Sequence, residues 1–355
     1  MRDLNTLVEE IRKTLPWAPL GSFPTPLERF AGSGEAEIWV KRDDLTSPLY
    51  GGNKVRKLEF LLADARAKGA GKILTFGGVG SNHAVACAAH GSEAGLSCEA
   101  IVVDQPLTPH VRKNLLLGHS FGARLHYASS LPGALVQFAS LRRRLGKETG
   151  KAPYVILPGG STPLGSVGYA LAALELAEQV GRGELPKPDA VFVALGSSGT
   201  LGGLLAGAAL AGISSEWVGV QVVEWPVVSA WNVRRLAEGT LRLLKASGKR
   251  LPPFQIEKGF FGGKYGLPTQ KGAAAIERAS ASGLALEGTY TGKTFAALLD
   301  WAAREENRGK RVLFWNTYSG ADQTKRLEKA DWRNLPQDLW KYFDESVEMV
   351  KPEEE

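Results

Sequence analysis

Asp189-Ala190-Val191-Phe192-Val193-Ala194-Leu195 is an almost unbroken apolar run of strand length, and Gly196-Ser197-Ser198-Gly199-Thr200-Leu201-Gly202-Gly203 follows it directly. A strand that is apolar on every residue must be covered on both faces, which is the habit of parallel sheets. Parallel strands need long crossovers, usually helices, so this run predicts an α/β architecture. The rest of the chain repeats the pattern. Short apolar strands are expected at 36–42, 72–76, 99–103, 122–127, 153–157, 217–223 and 311–315. Helical patterns fall between them, at 4–15, from 54 to the Gly69-Ala70-Gly71 turn, at 84–91, at 108–121 with Thr108 as N-cap, at 134–145 and at 164–180.

A chain of 355 residues is expected to divide its core between two domains. The stretch 55–165 carries its own strand–helix units and reads as a small α/β lobe inserted in a larger domain made of 1–54 and 166–355. The acidic end, Lys351 to Glu355, reads as a frayed tail.

The Gly196–Gly203 loop is built from glycine and hydroxyl residues at the junction of a buried strand and a helix. Glycines let backbone N–H groups turn inward, the helix start adds positive potential, and Ser197, Ser198 and Thr200 add hydroxyls. That is a cradle for a phosphate. It is not a P-loop, because no Lys-Ser/Thr pair follows the last glycine, and Glu224 is its only candidate for the acidic residue of a dinucleotide site. The plain alternative is a tight strand–helix turn.

A second junction is Tyr50-Gly51-Gly52-Asn53-Lys54-Val55-Arg56-Lys57-Leu58-Glu59. The glycines permit a sharp turn and Asn53 is the expected helix cap, which puts Lys54 in the first turn. The positive helix end loosens a lysine's proton, as a Schiff-base lysine requires. A solvated lysine beside Arg56 and Lys57 explains the stretch as well. Ser81-Asn82-His83 lies between a strand end and a helix start, where free amides suit a carboxylate; simple capping by Ser81 or Asn82 accounts for it equally. Loops at 263–268, 289–293 and 316–320 bring Tyr265, Tyr290, Thr291 and Thr317 to the strand ends that line the crevice of an open α/β sheet.

Composition excludes several classes. An apolar fraction of 44% and a charged fraction of 23% belong to an ordinary soluble globular chain. The net charge of +6 permits an anionic ligand, but no dense basic run or basic–aromatic interleaving points to nucleic acid. No apolar run reaches membrane-spanning length and Met1-Arg2-Asp3-Leu4 lacks the apolar core of a secretory signal, so a cytoplasmic protein is expected. Cys87 and Cys98 have neither CxxC nor metal-spaced partners; buried reduced thiols and no metal site are expected.

A lysine early in the chain, a carboxylate-sized pocket and a later phosphate cradle form a set. With Val40-Lys41-Arg42-Asp43-Asp44-Leu45, Gly51–Glu59, Ser81-Asn82-His83, Pro158-Gly159-Gly160-Ser161, Gly196–Thr200, Tyr265-Gly266-Leu267-Pro268 and Tyr290-Thr291-Gly292-Lys293, the chain resembles the fold-type II pyridoxal-phosphate enzymes. Within them it is similar to the family of 1-aminocyclopropane-1-carboxylate (ACC) deaminase and D-cysteine desulfhydrase. The resemblance implies a tryptophan synthase β-subunit-like fold, two open twisted sheets with the site between them, and a homodimer. It implies that Lys54 carries pyridoxal 5'-phosphate covalently and, when released, takes the substrate's Cα proton. Asn82 would bond the ring hydroxyl, and the loop Gly196, Ser197, Ser198, Gly199, Thr200, Leu201 and Gly202 would bind the phosphate. Thr291 would face the pyridine nitrogen with Thr317 close by. Ser81, Asn82, His83, Gly160 and Ser161 would meet the substrate, near Tyr265 and Tyr290.

Four departures from the family's pattern carry information. The deaminase proper has Glu after its second active-site tyrosine, and this chain has Thr291. A hydroxyl partner leaves the pyridine nitrogen largely neutral, which favours expulsion of a β-leaving group over cyclopropane opening. Gly80 stands where the family often has Gln, Ala84-Val85 where relatives often place a basic residue, and Asn316-Thr317-Tyr318-Ser319-Gly320 where the pattern is often His-Thr-Gly-Gly; these three are expected to reshape the substrate side. The expectation is a lyase that α,β-eliminates a small amino acid, D-cysteine first, to pyruvate, ammonia and sulfide. ACC deamination, β-replacement or racemisation, and a binding protein without turnover are the alternatives.

Overall fold

The computed structural model describes residues 4–31 and 36–352. Met1–Asp3, part of the stretch read for a signal, and the tail residues 353–355 lie outside them. The first half of the chain runs α1 (Leu4–Thr14), β1 (Leu27–Arg29), β2 (Glu37–Lys41), α2 (Lys54–Ala67), β3 (Lys72–Gly78), α3 (Asn82–Glu93), β4 (Ser97–Val103), α4 (Pro109–Ser120), β5 (Arg124–Ala128), α5 (Leu131–Thr149) and β6 (Tyr154–Ile156). The second half runs α6 (Pro163–Gly181), β7 (Ala190–Leu195), α7 (Gly199–Ala211), β8 (Glu216–Gln221), α8 (Ala230–Leu243), β9 (Phe254–Glu257), α9 (Gln270–Ser280), α10 (Thr291–Ala302), β10 (Arg311–Trp315) and α11 (Thr324–Glu328).

Ten strands form two sheets among the described residues. Six take the order β1-β2-β10-β7-β8-β9 and four take the order β5-β4-β3-β6. All neighbours are parallel except β1 and β2. The fold is therefore α/β with mostly parallel sheets, as in fold-type II enzymes. Every residue of β7 is buried, in keeping with its uninterrupted apolar sequence. β1 is three residues long and largely exposed, and β9 is four; neither has a pattern distinct from loop sequence.

Helix packing depends on absent side chains. A Cβ on Gly203 would lie 2.3 Å from the Ser166 carbonyl oxygen, and one on Gly207 2.2 Å from that of Ala170. Small residues along α7 thus let it lie directly against α6, which fixes the helix that follows the glycine loop. Beneath α2 sits a buried charge network. Arg56 donates to both oxygens of Asp43, at 2.9 and 2.8 Å, and to Glu175 at 2.9 and 3.0 Å. Asp43 also accepts from Tyr169 and Trp315, and Lys41 bonds Glu175. β2, α2, α6 and β10 are thereby pinned at one point, two residues from Lys54.

The four-stranded sheet lies within the 55–165 stretch expected as an inserted lobe. The C-terminal segment, expected with the larger unit, packs elsewhere: Leu335, Leu339 and Tyr342 join the core of the four-stranded sheet. Arg112 of α4 holds the Tyr342 carbonyl at 2.7 Å.

Candidate active site

Open α/β sheets bind ligands beyond the carboxyl ends of their strands. Here the ends of β3, β4, β7, β8 and β10 converge on one cleft of about 620 Å³. Lys54, Ser81, Asn82, His83, Gly196, Ser197, Ser198, Thr200, Leu201, Tyr265, Tyr290, Thr291 and Thr317 all line it.

Lys54 is the first residue of α2. The turn before it admits only glycine. A Cβ on Gly51 would lie 2.4 Å from the Asp44 carbonyl oxygen; Gly52 has φ +87° and faces the Thr317 carbonyl. Asn53 is not the cap that its position suggests. Its backbone is already helical and its side chain caps nothing. Instead Oδ1 accepts from Lys54 Nζ at 2.6 Å and Nδ2 donates to Thr200 Oγ1 at 3.2 Å. Asn53 therefore bridges the lysine to the glycine loop. Burial pushes the Lys54 pKa down to about 8, against the opposing pull of Cys87 and Glu287. Lys57, one turn on, is fully buried, donates to the Gly159 carbonyl at 2.9 Å, and is held well below its ordinary pKa by burial.

The glycine loop turns into α7 through Ser198, a non-glycine residue with φ +68°. The first turn of α7 leaves the Thr200 and Leu201 amides without intrahelical acceptors. Gly199 N donates instead to Ser161 Oγ at 3.2 Å, and Ser161 Oγ shares a 2.7 Å hydrogen bond with Ser197 Oγ. Ser161, expected at the substrate, braces the glycine loop; it and Gly160 are not among the lining residues. Gly202 lies behind the loop, where a Cβ would meet Leu236 and Val233 of α8.

Ser81 caps α3: its Oγ accepts from Ala84 N at 3.3 Å, which leaves its proton free for the cleft. Asn82 follows as the first helical residue. His83 Nε2 meets Thr75 Oγ1 at 3.0 Å, and burial holds the ring well below its ordinary pKa, so it is neutral. The room beside Gly80 is taken by Gln105, whose Oε1 accepts from Gly80 N at 3.0 Å. Tyr265 and Tyr290 share a hydroxyl–hydroxyl hydrogen bond of 2.7 Å. Burial raises Tyr265 to about 12 and Tyr290 well above its ordinary value, so both keep their protons.

Sequence reasoning missed Glu287. It is buried, lines the cleft, and accepts the backbone N–H groups of Thr289, Tyr290 and Thr291 at 2.8, 2.7 and 3.0 Å. An acidic residue just ahead of a helix start is the signal that was available. Thr291 Oγ1 accepts from Glu287 N at 2.9 Å, and its own proton is directed back to the same residue, to the Glu287 carbonyl at 3.4 Å and Oε1 at 3.5 Å.

The site sets a glycine loop with free helix-start amides opposite a buried lysine whose pKa is lowered. Residues 19–317 match the family described as pyridoxal-phosphate dependent enzyme. The chain is 36% identical over 303 residues to a D-cysteine desulfhydrase of Serratia proteamaculans, covering 82% of this chain and 90% of the relative. It is 35% identical over 317 residues to a putative ACC deaminase of Pyrococcus abyssi, covering 87% and 93%. A crystal structure of an ACC deaminase homologue superposes with a TM-score of 0.77 at 29% identity, over 92% of this chain and 99% of that one. The chain belongs to the pyridoxal-phosphate dependent enzymes, in the family of the ACC deaminases and D-cysteine desulfhydrases.

The residues present fit pyridoxal 5'-phosphate. The loop offers unpaired helix-start amides and hydroxyls to a phosphate. At Gly159 a Cβ would fall 2.0 Å from Ser197 Oγ, so only glycine lets the loop sit this close. Lys54 would supply the amine, and Asn82, Thr291 and Thr317 line the same cleft.

Proposed function

We propose that the protein is a lyase that removes the α-proton and a neutral β-thiol from a small amino acid, D-cysteine first. Cysteine and water then become pyruvate, ammonia and hydrogen sulfide. The observation that carries this reading is the wall at Thr291. A hydroxyl stands where ring-opening relatives place a carboxylate, and the nearby Glu287 spends its oxygens on backbone amides. Among the described residues Lys54 is the only lysine or arginine lining the cleft, which disfavours an anionic β-group such as a sulfonate.

Bound pyridoxal phosphate supplies the electron sink for charge that develops at the α-carbon. The chain's own residues do the rest. The Ser81 hydroxyl and the first amides of α3 hold the substrate carboxylate. Lys54, as a free neutral amine, would be the base that takes the α-proton. The Tyr265–Tyr290 pair, kept protonated by burial, donates to the departing sulfur. Asn53 holds the free Lys54 amine toward the loop. The apolar wall of Phe76, Val103 and Leu135 limits water access.

A panel of D- and L-cysteine, β-chloroalanine, cysteate, serine and ACC, scored for 2-oxo acid, tests the reading. Release of pyruvate and sulfide from cysteine is expected, with D exceeding L. Turnover of ACC alone would overturn it. The reading further takes the enzyme to be a cytoplasmic homodimer; a light-scattering mass near that of one 38.1 kDa chain would refute the dimer.

A further inference from the structure

An asparagine amide can present either a donor or an acceptor, and which end of Asn82 faces the cleft decides what it binds there. The structure fixes that choice from behind. The Gly80 carbonyl can only accept, and Asn114 of α4 donates to it through Nδ2 at 2.9 Å. For its second proton the same Nδ2 has Asn82 Oδ1 at 2.8 Å and His110 Nε2 at 3.0 Å, the shorter contact being the one to Asn82. Tyr50 Oη donates to that oxygen as well, at 3.0 Å. Tyr50 is buried, and burial raises its pKa well above the ordinary value, so the hydroxyl remains a donor. With two donors on Oδ1, Nδ2 is turned away from them, and among the described residues no acceptor takes its hydrogen bond. Asn82 lines the cleft; Tyr50 and Asn114 are not among the lining residues.

We propose that Tyr50 and Asn114 are positioning residues that lock Asn82 with Nδ2 toward the cleft, so that it receives only an acceptor, the ionised ring oxygen of the cofactor. The chain of constraint starts at a backbone carbonyl and ends at the cofactor ring. It gives α4 a part in the site although Asn114 itself stays behind the cleft wall. A donor held there favours the anionic form of the ring oxygen and discriminates against a ring that lacks it. The inference rests on the family's cofactor but not on the substrate.

The test uses the full chain freed of cofactor, with pyridoxal phosphate and its 3-deoxy analogue as probes and equilibrium binding as the readout. The wild type is expected to prefer pyridoxal phosphate by about 10- to 100-fold, the worth of a hydrogen bond to a charged group. Asn114→Asp replaces the donor by an acceptor of the same shape. It is expected to lose most of that preference by weakening pyridoxal phosphate while leaving the 3-deoxy analogue within about twofold. Tyr50→Phe removes one donor of the two, should shift the ratio in the same direction by less, and carries the test if Asn114→Asp does not fold. Equal weakening of both probes, or an unchanged ratio in the folded variants, overturns the proposal. An enzyme that binds both probes but eliminates from no amino acid would refute the proposed function and leave this inference standing.

Discussion

Bond formation between an amine and an aldehyde needs the nitrogen lone pair, so Lys54 must give up a proton before it can take the cofactor. With a pKa of about 8 the amine is neutral in about one molecule in ten at pH 7, against about one in a few thousand for an unperturbed lysine. The sign follows: the competent form is lost as pH falls below the folded value and is saturated above it. The rate at which cofactor-free protein recovers its bound chromophore should therefore rise about tenfold per pH unit up to about 8 and level off beyond it. A rate still climbing at pH 10 would place the lysine at its ordinary value. The position of Lys54 at a helix start was legible in the glycine turn and the apolar pattern after it. What depresses its pKa was not, because the cause named by the structure is burial, and burial comes from segments far away in sequence. The same holds for Glu287, whose role depends on three amides that only the fold brings to it, and for Asn53, a plausible cap that became a bridge.

At the scale of elements, strands buried on both faces announced themselves. β7 is a continuous apolar run and β10 is one after Arg311, and the cleft lies at their ends. Short edge strands such as β1 left no mark, since an exposed three-residue ladder needs no particular pattern. The junction that presents Lys54 is held by charge as well as by glycine. Arg56 is almost fully buried against Asp43 and Glu175, and of the partners it would leave behind Asp43 is fully buried and Glu175 partly so. Removing one partner of such a set costs about 3–5 kcal/mol. Arg56→Leu is expected to lower the denaturation free energy by that order and to loosen the cofactor with it. A loss below about 1 kcal/mol in urea unfolding would mean that water reaches the network.

For the whole molecule, the cleft is the meeting place of two sheets' carboxyl edges, and the chain crosses between them more than once. Parallel sheets with a cleft at their strand ends could be read from the alternation of strands and helices. The return of the C-terminal segment to the four-stranded sheet could not, because Leu335, Leu339 and Tyr342 show no long periodic pattern. Leu339 is fully buried in that core, and Leu339→Ala should cost about 2–5 kcal/mol. Calorimetry checks this; an unchanged unfolding temperature would show the segment to be only loosely attached. All of these parts serve one covalent attachment. Borohydride reduction of the loaded enzyme, followed by peptide mass mapping, tests it directly. The account predicts one pyridoxyl-phosphate increment, on the peptide that contains Lys54. An increment on Lys57 or another lysine alone, or none on a preparation saturated with cofactor, would contradict it.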